Sequence, residues 1–205
     1  MATHDPSFQS EKAALRRLAR ARRDAIPGDQ RAAAATAAAT HVDSHVFAAL
    51  PAGATIGLYA SMRSELPGAA LATAAAARGL ALAYPRTAAD HELVFHRAAS
   101  ADLLIGRFGI PEPQPDAPVV AVDELAVVIV PGLLFDRGGF RLGWGGGWYD
   151  ALLPRTPALR VGFCLDVQRV DDVPRAAHDQ PVHVVITERG VHLALDDHGD
   201  PRWTP

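Results

Sequence analysis

Residues 125–150 read LAVVIVPGLLFDRGGFRLGWGGGWYD, an apolar run followed by a segment dense in glycine. The run Leu125–Val130 has no polar residue, which is typical of a strand buried on both faces of a parallel sheet. Glycine adds no packing and costs more backbone entropy than any other residue. A segment so rich in it indicates backbone that approaches a ligand closely or adopts positive φ. Because Arg141, Tyr149 and Asp150 lie within it, we interpret the segment as a site for a phosphate-bearing ligand beside an aromatic one.

Helices and strands are predicted to alternate along the rest of the chain. Hydrophobic periodicity predicts helices at 9–25, 29–50, 67–78 and 148–153, and strands at 55–60, 80–84, 92–97, 125–130, 161–165 and 182–187. This order predicts an α/β fold, one domain over residues 1–205 whose mostly parallel sheet carries helices on both faces. The termini, about 1–8 and 197–205, are expected to be loose. Ligands in such sheets bind at the carboxyl ends of the strands, where the glycine segment begins.

The composition is that of a globular protein and excludes several function classes. Of the 205 residues, 49% are hydrophobic. The net charge of −3 gives no overall electrostatic attraction to nucleic acid or to an anionic membrane. There is no secretory signal pattern and no apolar stretch near the ~20 residues that a membrane span needs. We therefore expect a cytoplasmic protein without nucleic-acid or membrane partners, and we take it to be a monomer. The single cysteine, Cys164, is interpreted as a buried structural thiol.

Lysine occurs once, at position 12, whereas arginine occurs nineteen times. Lysine can act as a compact point charge against a phosphate. Lys12 and Arg16 lie four residues apart, so they project from the same face of the first predicted helix. Two interpretations stay open for Lys12, a phosphate contact or a solvated helix residue retained by chance.

The glycine segment fits neither of two common phosphate motifs. No lysine lies near a glycine cluster, as the P-loop requires, and a dinucleotide fingerprint starting at Gly143 would place Trp148 at its last glycine. Successive glycine amides can still form a concave donor site for phosphate oxygens, to which the helix starting near Trp148 would add its dipole. Arg141 would add a charge-assisted contact. The alternative is a glycine-rich hairpin with exposed aromatic residues.

Several segments of the chain resemble the 5-formyltetrahydrofolate cyclo-ligase family. Residues 141–150, RLGWGGGWYD, preceded by VPGLLFD at 130–136, are similar to the family's signature, and Lys12-x-x-Leu-Arg16 looks like its N-terminal ATP-contact motif. Further similar segments follow in the family's order, at 59–65, 108–113, 173–179 and 185–188. The resemblance covers roughly residues 10–190 and implies a three-layer fold of the NagB, RpiA and CoA-transferase type.

The resemblance also implies an activity and its cofactors. The reaction would be the ATP- and Mg²⁺-dependent cyclisation of 5-formyltetrahydrofolate to 5,10-methenyltetrahydrofolate, with release of ADP and phosphate. Lys12 and Arg16 would contact the ATP phosphates, and Asp150 and Asp179 would hold Mg²⁺ through the oxygen ligands that this ion prefers. The nucleotide loop would consist of Arg141, Leu142, Gly143, Trp144, Gly145, Gly146, Gly147, Trp148 and Tyr149.

The folate side of the site is implied in the same way. Glu65, with the backbone near Ala60, would meet the folate, and Trp144 and Trp148 would flank its rings. Catalysis would fall to Arg141, Lys12 and Glu65.

The chain departs from the family pattern inside the loop. Many members have tyrosine or another residue at the positions of Trp144 and Trp148, some have lysine at that of Gly146, and Ala151 replaces a common arginine. Two alternatives therefore stay open: a folate- or nucleotide-binding module without turnover, and a relative that acts on another N-formyl compound. His178 beside Asp179 is a further candidate for the metal or phosphate region.

Overall fold

A sheet of eight strands forms the centre of the protein, in a computed structural model that describes residues 6–88 and 91–204. Its strands follow the order β12-β11-β10-β7-β1-β2-β3-β6. The five strands from β11 to β2 pair in parallel, while β12, β3 and β6 pair antiparallel at the two edges. The strands of this sheet are β1 (Thr55–Gly57), β2 (Ala81–Thr87), β3 (Leu93–Arg97), β6 (Val119–Val120), β7 (Leu125–Val130), β10 (Leu159–Phe163), β11 (Val184–Thr187) and β12 (Gly190–Leu193).

Four helices and two small hairpins surround the sheet. The helices are α1 (Pro6–Asp24), α2 (Gly28–His45), α3 (Ala69–Ala77) and α4 (Trp148–Leu152). The hairpins pair β4 (Leu104–Ile105) with β5 (Pro111–Glu112) and β8 (Leu134–Phe135) with β9 (Arg141–Leu142). Among the helices of residues 6–88 and 91–204, none is long and apolar enough to cross a membrane.

The central strand β7 is apolar throughout because the protein covers it on both faces. Val127 and Ile129 pack with α2 and α3 in the larger core. Val128 and Val130 point the opposite way, as alternation along a strand requires, and pack in a second core beneath α4. All four side chains are 0% exposed, so the sequence pattern follows from burial on both faces.

The glycine segment divides into a hairpin and a loop. Residues 134–142 form the β8–β9 hairpin, and the loop 143–147 follows it; the hairpin of the alternative interpretation is present, but its aromatic residues Trp144, Trp148 and Tyr149 are partly buried instead of exposed. At the hairpin's turn Gly139 has φ +81°, and a Cβ there would lie 2.4 Å from the carbonyl oxygen of Val182. Only glycine allows the two backbone segments to approach this closely. The Val182 amide donates to Gly139 O at 2.8 Å, and this bond fixes the hairpin beside β11. The anchored hairpin in turn fixes where the loop begins.

The predicted α/β fold and the mostly parallel sheet are confirmed. Every predicted helix and strand has a counterpart, although the ends differ; the strand predicted at 55–60, for example, ends at Gly57. The short strands β4, β5, β6, β8 and β9 and the edge strand β12 were not predicted. On the face opposite α2 and α3, the second core includes side chains of α4, a helix of five residues.

Parts of both termini that were predicted to be loose lie within the described residues. Of the N-terminal residues predicted to be loose, 1–5 lie outside the described residues, and α1 already begins at Pro6. Near the C-terminus, Arg202 donates its amide to Ala194 O at 2.8 Å, and Trp203 packs against the larger core. The looseness of the two termini stays a prediction.

Cys164 is 1% exposed and lies in the second core. Burial raises the pKa of its thiol well above the usual range, and a thiol that keeps its proton is a poor nucleophile. The prediction of a buried structural thiol is confirmed.

Candidate active site

A cavity of about 860 Å³ opens at the carboxyl ends of the neighbouring strands β1, β2 and β7. Segments that follow each of these strands form its walls, together with α1 and the stretch around residues 176–179. It is lined by every residue predicted for the site: Lys12, Arg16, Ala60, Glu65, Arg141, Leu142, Gly143, Trp144, Gly145, Gly146, Gly147, Trp148, Tyr149, Asp150 and Asp179. Residues up to 167 positions apart in sequence thus meet at one site.

Helix α1 supplies two cations to one wall of the cavity. Its Ala19 packs in a small core with Leu133 and Leu142, next to the β8–β9 hairpin. One side of the helix is thereby turned toward the site, where Arg16 Nε donates to Gly143 O at 2.9 Å. Lys12 is only 8% exposed, which excludes the interpretation of a solvated helix residue.

Lys12 forms a buried ion pair with Asp179, with 2.9 Å between Nζ and Oδ2. Burial by itself would raise the pKa of Asp179, but the hydrogen bond from the Ala176 amide and the contact with Lys12 outweigh it, so the pKa is lowered. The carboxylate is therefore ionised at neutral pH. His178, the further candidate, is exposed, with its Nε2 3.6 Å from Asp179 Oδ1.

Arg141 and Asp150 form a second pair at the base of the cavity. The guanidinium donates to Asp150 Oδ1 at 2.8 Å and to Gln180 O at 2.7 Å. The amide of Gln180 also donates to Asp150 Oδ1, at 3.0 Å. Since Gln180 follows Asp179 in the chain, these bonds join the two predicted metal ligands into one wall.

The donor set of this wall fits a magnesium ion that is also bound by phosphate. Asp150 makes its contacts through Oδ1 and Asp179 its shortest ones through Oδ2, so each carboxylate has a second oxygen to offer. Within residues 6–88 and 91–204, no group of three acidic, histidine or cysteine residues could enclose a metal by itself. Mg²⁺ commonly takes one or two carboxylates, with waters and substrate phosphates as its other ligands.

The glycine loop presents unused donors on the same side of the cavity. The amides of Gly143, Gly145 and Gly146 donate no hydrogen bond to any of the described residues. Gly145 has φ +103°, and a Cβ there would lie 3.4 Å from the guanidinium carbon of Arg16. Free amides beside a guanidinium suit phosphate oxygens. The expected helix dipole contributes little, because α4 has only five residues.

Glu65 also lines the cavity and is buried to 6% exposure. Its Oε1 accepts from Trp144 Nε1 at 2.8 Å and its Oε2 from the Met62 amide at 3.0 Å. Burial raises the pKa of Glu65 above its ordinary value, against the lowering effect of these two hydrogen bonds and of Arg23. The site therefore combines several cations with a desolvated carboxyl, that of Glu65.

Trp144 and Trp148, which were predicted to flank the folate rings together, have different surroundings in the cavity. Trp148 stacks on His91, with 3.9 Å between ring centroids and 20° between planes, and Phe108 meets it edge-on. The Trp144 ring is packed against guanidinium groups instead, those of Arg20, Arg23 and Arg63 at 5.3–5.8 Å from its centroid. Sequence reasoning named none of these five neighbours as a site residue, although Arg63 and Phe108 lie in the segments 59–65 and 108–113 that resemble the family.

Tyr149 contributes a hydroxyl without a partner. Its oxygen is buried and makes no hydrogen bond with any described residue. Burial raises the pKa of Tyr149, and the charge of Glu65 raises it further, so the hydroxyl keeps its proton. A buried polar group in this condition costs about 1–3 kcal/mol, which a ligand that accepts its hydrogen bond would recover.

These features define an α/β protein whose cavity can take an anionic, phosphate-bearing ligand beside a second, partly apolar one. The model of the 5-formyltetrahydrofolate cyclo-ligase family matches residues 8–188. The chain belongs to this family.

Individual relatives agree with this assignment. The 5-formyltetrahydrofolate cyclo-ligase of Mycolicibacterium smegmatis is 36% identical over 93 residues, 43% of this chain and 48% of the relative. That of Escherichia coli is 37% identical over 90 residues, 42% of this chain and 50% of the relative. The chain thus spans about half the length of these relatives.

Solved structures extend the likeness over most of the chain. The 5,10-methenyltetrahydrofolate synthetase of Aquifex aeolicus is 29% identical and superposes with a TM-score of 0.76, covering 90% of this chain and 93% of that one. The synthetase of Mycoplasma pneumoniae has a TM-score of 0.71 at 18% identity, covering 87% and 99%, and supports the fold alone.

Proposed function

We propose that the protein catalyses the ATP- and Mg²⁺-dependent cyclisation of 5-formyltetrahydrofolate to 5,10-methenyltetrahydrofolate, releasing ADP and phosphate. The observation that carries the proposal is the single cavity at the strand ends, which collects cations, free glycine amides and a buried carboxyl from distant parts of the chain. Membership of the cyclo-ligase family supports the same reaction. We also propose that the protein acts as a cytoplasmic monomer; its mass in solution tests the oligomeric state.

The cations that line the cavity suit the phosphates of ATP. Lys12, Arg16 and Arg141 would contact the phosphate oxygens, with the loop amides as further donors. When bound, Mg²⁺ would neutralise phosphate charge, with Asp150 and Asp179 as its carboxylate ligands. Phosphoryl transfer needs mainly positioning and charge neutralisation from the protein. The proposed reaction therefore requires no nucleophilic side chain.

The chemistry of the folate explains why ATP is needed. The oxygen of an N-formyl group is a poor leaving group, and transfer of the γ-phosphoryl to it, with departure of ADP, converts it into a good one. N10 then attacks the formyl carbon; the C–N10 bond forms, the C–O bond breaks, phosphate leaves and N10 loses its proton. Glu65, which lines the same cavity, would orient the folate for both steps.

A turnover assay tests the proposal directly. Purified protein with 5-formyltetrahydrofolate, ATP and Mg²⁺ should generate the absorbance of the methenyl product, with one ADP released for each product formed. Nucleotide binding without product would favour a binding module without turnover. Turnover of a different N-formyl compound only would favour a divergent substrate.

The phosphate contacts are tested by Lys12→Ala and Arg141→Ala. Both should impair the use of ATP, since each removes a cation that lines the cavity. Arg137→Ala is the matched control, because Arg137 is 74% exposed and pairs with Asp171 at the surface; its activity should equal that of the unmodified protein. Full activity of both test variants would contradict the assignment of Lys12 and Arg141.

A further inference from the structure

Trp144 donates its indole N–H to a buried carboxyl that lines the same cavity. Its Nε1–H donates to Glu65 Oε1 at 2.8 Å. The acceptor is a carboxyl of 6% exposure, so solvent cannot easily replace the bond. Hydrogen bonds to buried charged groups are among the stronger ones in proteins.

The ring of Trp144 is engaged as well. Guanidinium groups of Arg20, Arg23 and Arg63 lie 5.8, 5.4 and 5.3 Å from its centroid, and the ring packs against the small core under α1. These contacts restrict the indole to one orientation. They also make it a poor platform for a folate ring, which is the role that the resemblance implies for it.

We propose that Trp144 is a positioning residue: its indole N–H holds the Glu65 carboxylate in the orientation that receives the folate. Trp144 itself then need not touch the folate. The inference rests on the proposed function, since it takes Glu65 as the folate contact. With the Met62 amide on Oε2 at 3.0 Å, the indole on Oε1 fixes the carboxylate at both oxygens.

The surroundings of Glu65 predict how its titration depends on Trp144. Burial raises the pKa of Glu65, and the indole hydrogen bond lowers it in part. The other charged or titratable groups near it are Arg23, from α1, and the phenols of Tyr59 and Tyr149. Since the phenols keep their protons and the arginine its charge, removal of the indole N–H should raise the pKa of Glu65 further.

The test is Trp144→Phe, which keeps an aromatic ring and removes the donor. We expect KM for 5-formyltetrahydrofolate to rise ~10-fold, the loss expected for a bond to a buried charged group, while KM for ATP changes little. The acid limb of kcat/KM for the folate should move to higher pH. In a Glu65→Gln background the same substitution should add almost nothing, because the carboxylate that it orients is already gone.

Trp203→Phe is the matched control, since Trp203 packs against the larger core away from the cavity. It should leave both KM values and the pH profile unchanged. If Trp144→Phe keeps the folate KM and the acid limb, or if its effect adds fully to that of Glu65→Gln, the inference is wrong. Absence of turnover by the unmodified protein would instead contradict the proposed function, so the two failures are distinguishable.

A measurement on the unmodified protein covers the case in which Trp144→Phe does not fold. The indole N–H resonance of Trp144, assigned by elimination with Trp148→Phe and Trp203→Phe, should titrate with the same midpoint as the acid limb of folate use. A resonance that does not respond to pH over this range would overturn the inference.

Discussion

The ion pair of Lys12 and Asp179 should be a main determinant of stability in the ligand-free protein. The two atoms are 2.9 Å apart, and the side chains are 9% and 13% exposed. Removal of one partner from a buried pair leaves an uncompensated charge and costs about 3–5 kcal/mol. Because Asp179 keeps its hydrogen bond from the Ala176 amide at 2.7 Å, we expect Lys12→Met to lower the free energy of unfolding by about 3 kcal/mol, the lower end of that range.

The double variant separates the interaction energy of the ion pair from the effects of the two single substitutions. Lys12→Met with Asp179→Asn removes both charges, so its free energy of unfolding should lie within ~1 kcal/mol of the unmodified protein. The coupling between the two substitutions should then be at least ~2 kcal/mol. Urea denaturation without nucleotide, followed by circular dichroism, measures all four proteins.

The pair also has a pH signature. Since the folded pKa of Asp179 is lowered, the pair contributes its full stability above the unfolded pKa, about 3.9 for aspartate, and loses it as the pH falls through the folded value. The difference between the unmodified protein and Lys12→Met should therefore shrink below about pH 4.

The surface pair of Arg137 and Asp171 is the matched control. It is as short, at 2.7 Å, but its side chains are 74% and 88% exposed, so Arg137→Met should cost less than ~1 kcal/mol. Equal costs for the buried and the exposed pair, or simple additivity of Lys12→Met and Asp179→Asn, would refute the reasoning.

Three further predictions concern the loop and the strand beneath it. Tyr149→Phe removes a buried hydroxyl that bonds to none of the described residues, so the melting temperature should stay equal or rise, while affinity falls for whichever of ATP and 5-formyltetrahydrofolate accepts its hydrogen bond; a loss of both stability and affinity would show that the hydroxyl has a structural partner. In Gly146→Ala the new Cβ would lie 2.5 Å from Trp148 Cδ1, and the displaced indole should change the fluorescence of the free protein and weaken ligand binding, which titration measures. Gly162→Ala places a Cβ 2.8 Å from the Phe135 ring and should cost about 1–3 kcal/mol of unfolding free energy by overpacking, partly restored by Phe135→Leu; no restoration would contradict the contact.

The sheet and the glycine loop could be predicted because both depend on local patterns, whereas Ala60, Glu65, Asp150 and Asp179 were assigned to the site through the resemblance to the family. Burial on two faces requires an apolar strand such as β7, and close approach to a ligand requires glycine. Each requirement therefore produces a recognisable pattern in consecutive residues. The edge strand β12 was missed because its residues are half-buried, and such a strand carries a weaker hydrophobic signal.

The state of each site residue could not be predicted in the same way. Nothing near Trp144 in sequence indicates that its N–H donates to Glu65, 79 positions away. Arg23 is the clearest case: it is 1% exposed, donates to Ser64, and lies over the Trp144 ring, yet in the sequence it is one arginine among many on a basic helix. Such contacts depend on how α1 is docked, and docking is a property of the whole fold.

The distance in sequence between Lys12 and Asp179, 167 residues, has a consequence for how the protein acquires its site. Contacts between remote parts of a chain bear the largest loop-closure entropy and tend to form late in folding. The central strands can pair before α1 docks, but a chain in that state has no complete cavity. Because a ligand stabilises only the state that binds it, the proposed ATP site would link nucleotide binding to the docking of α1, which carries Lys12 and Arg16.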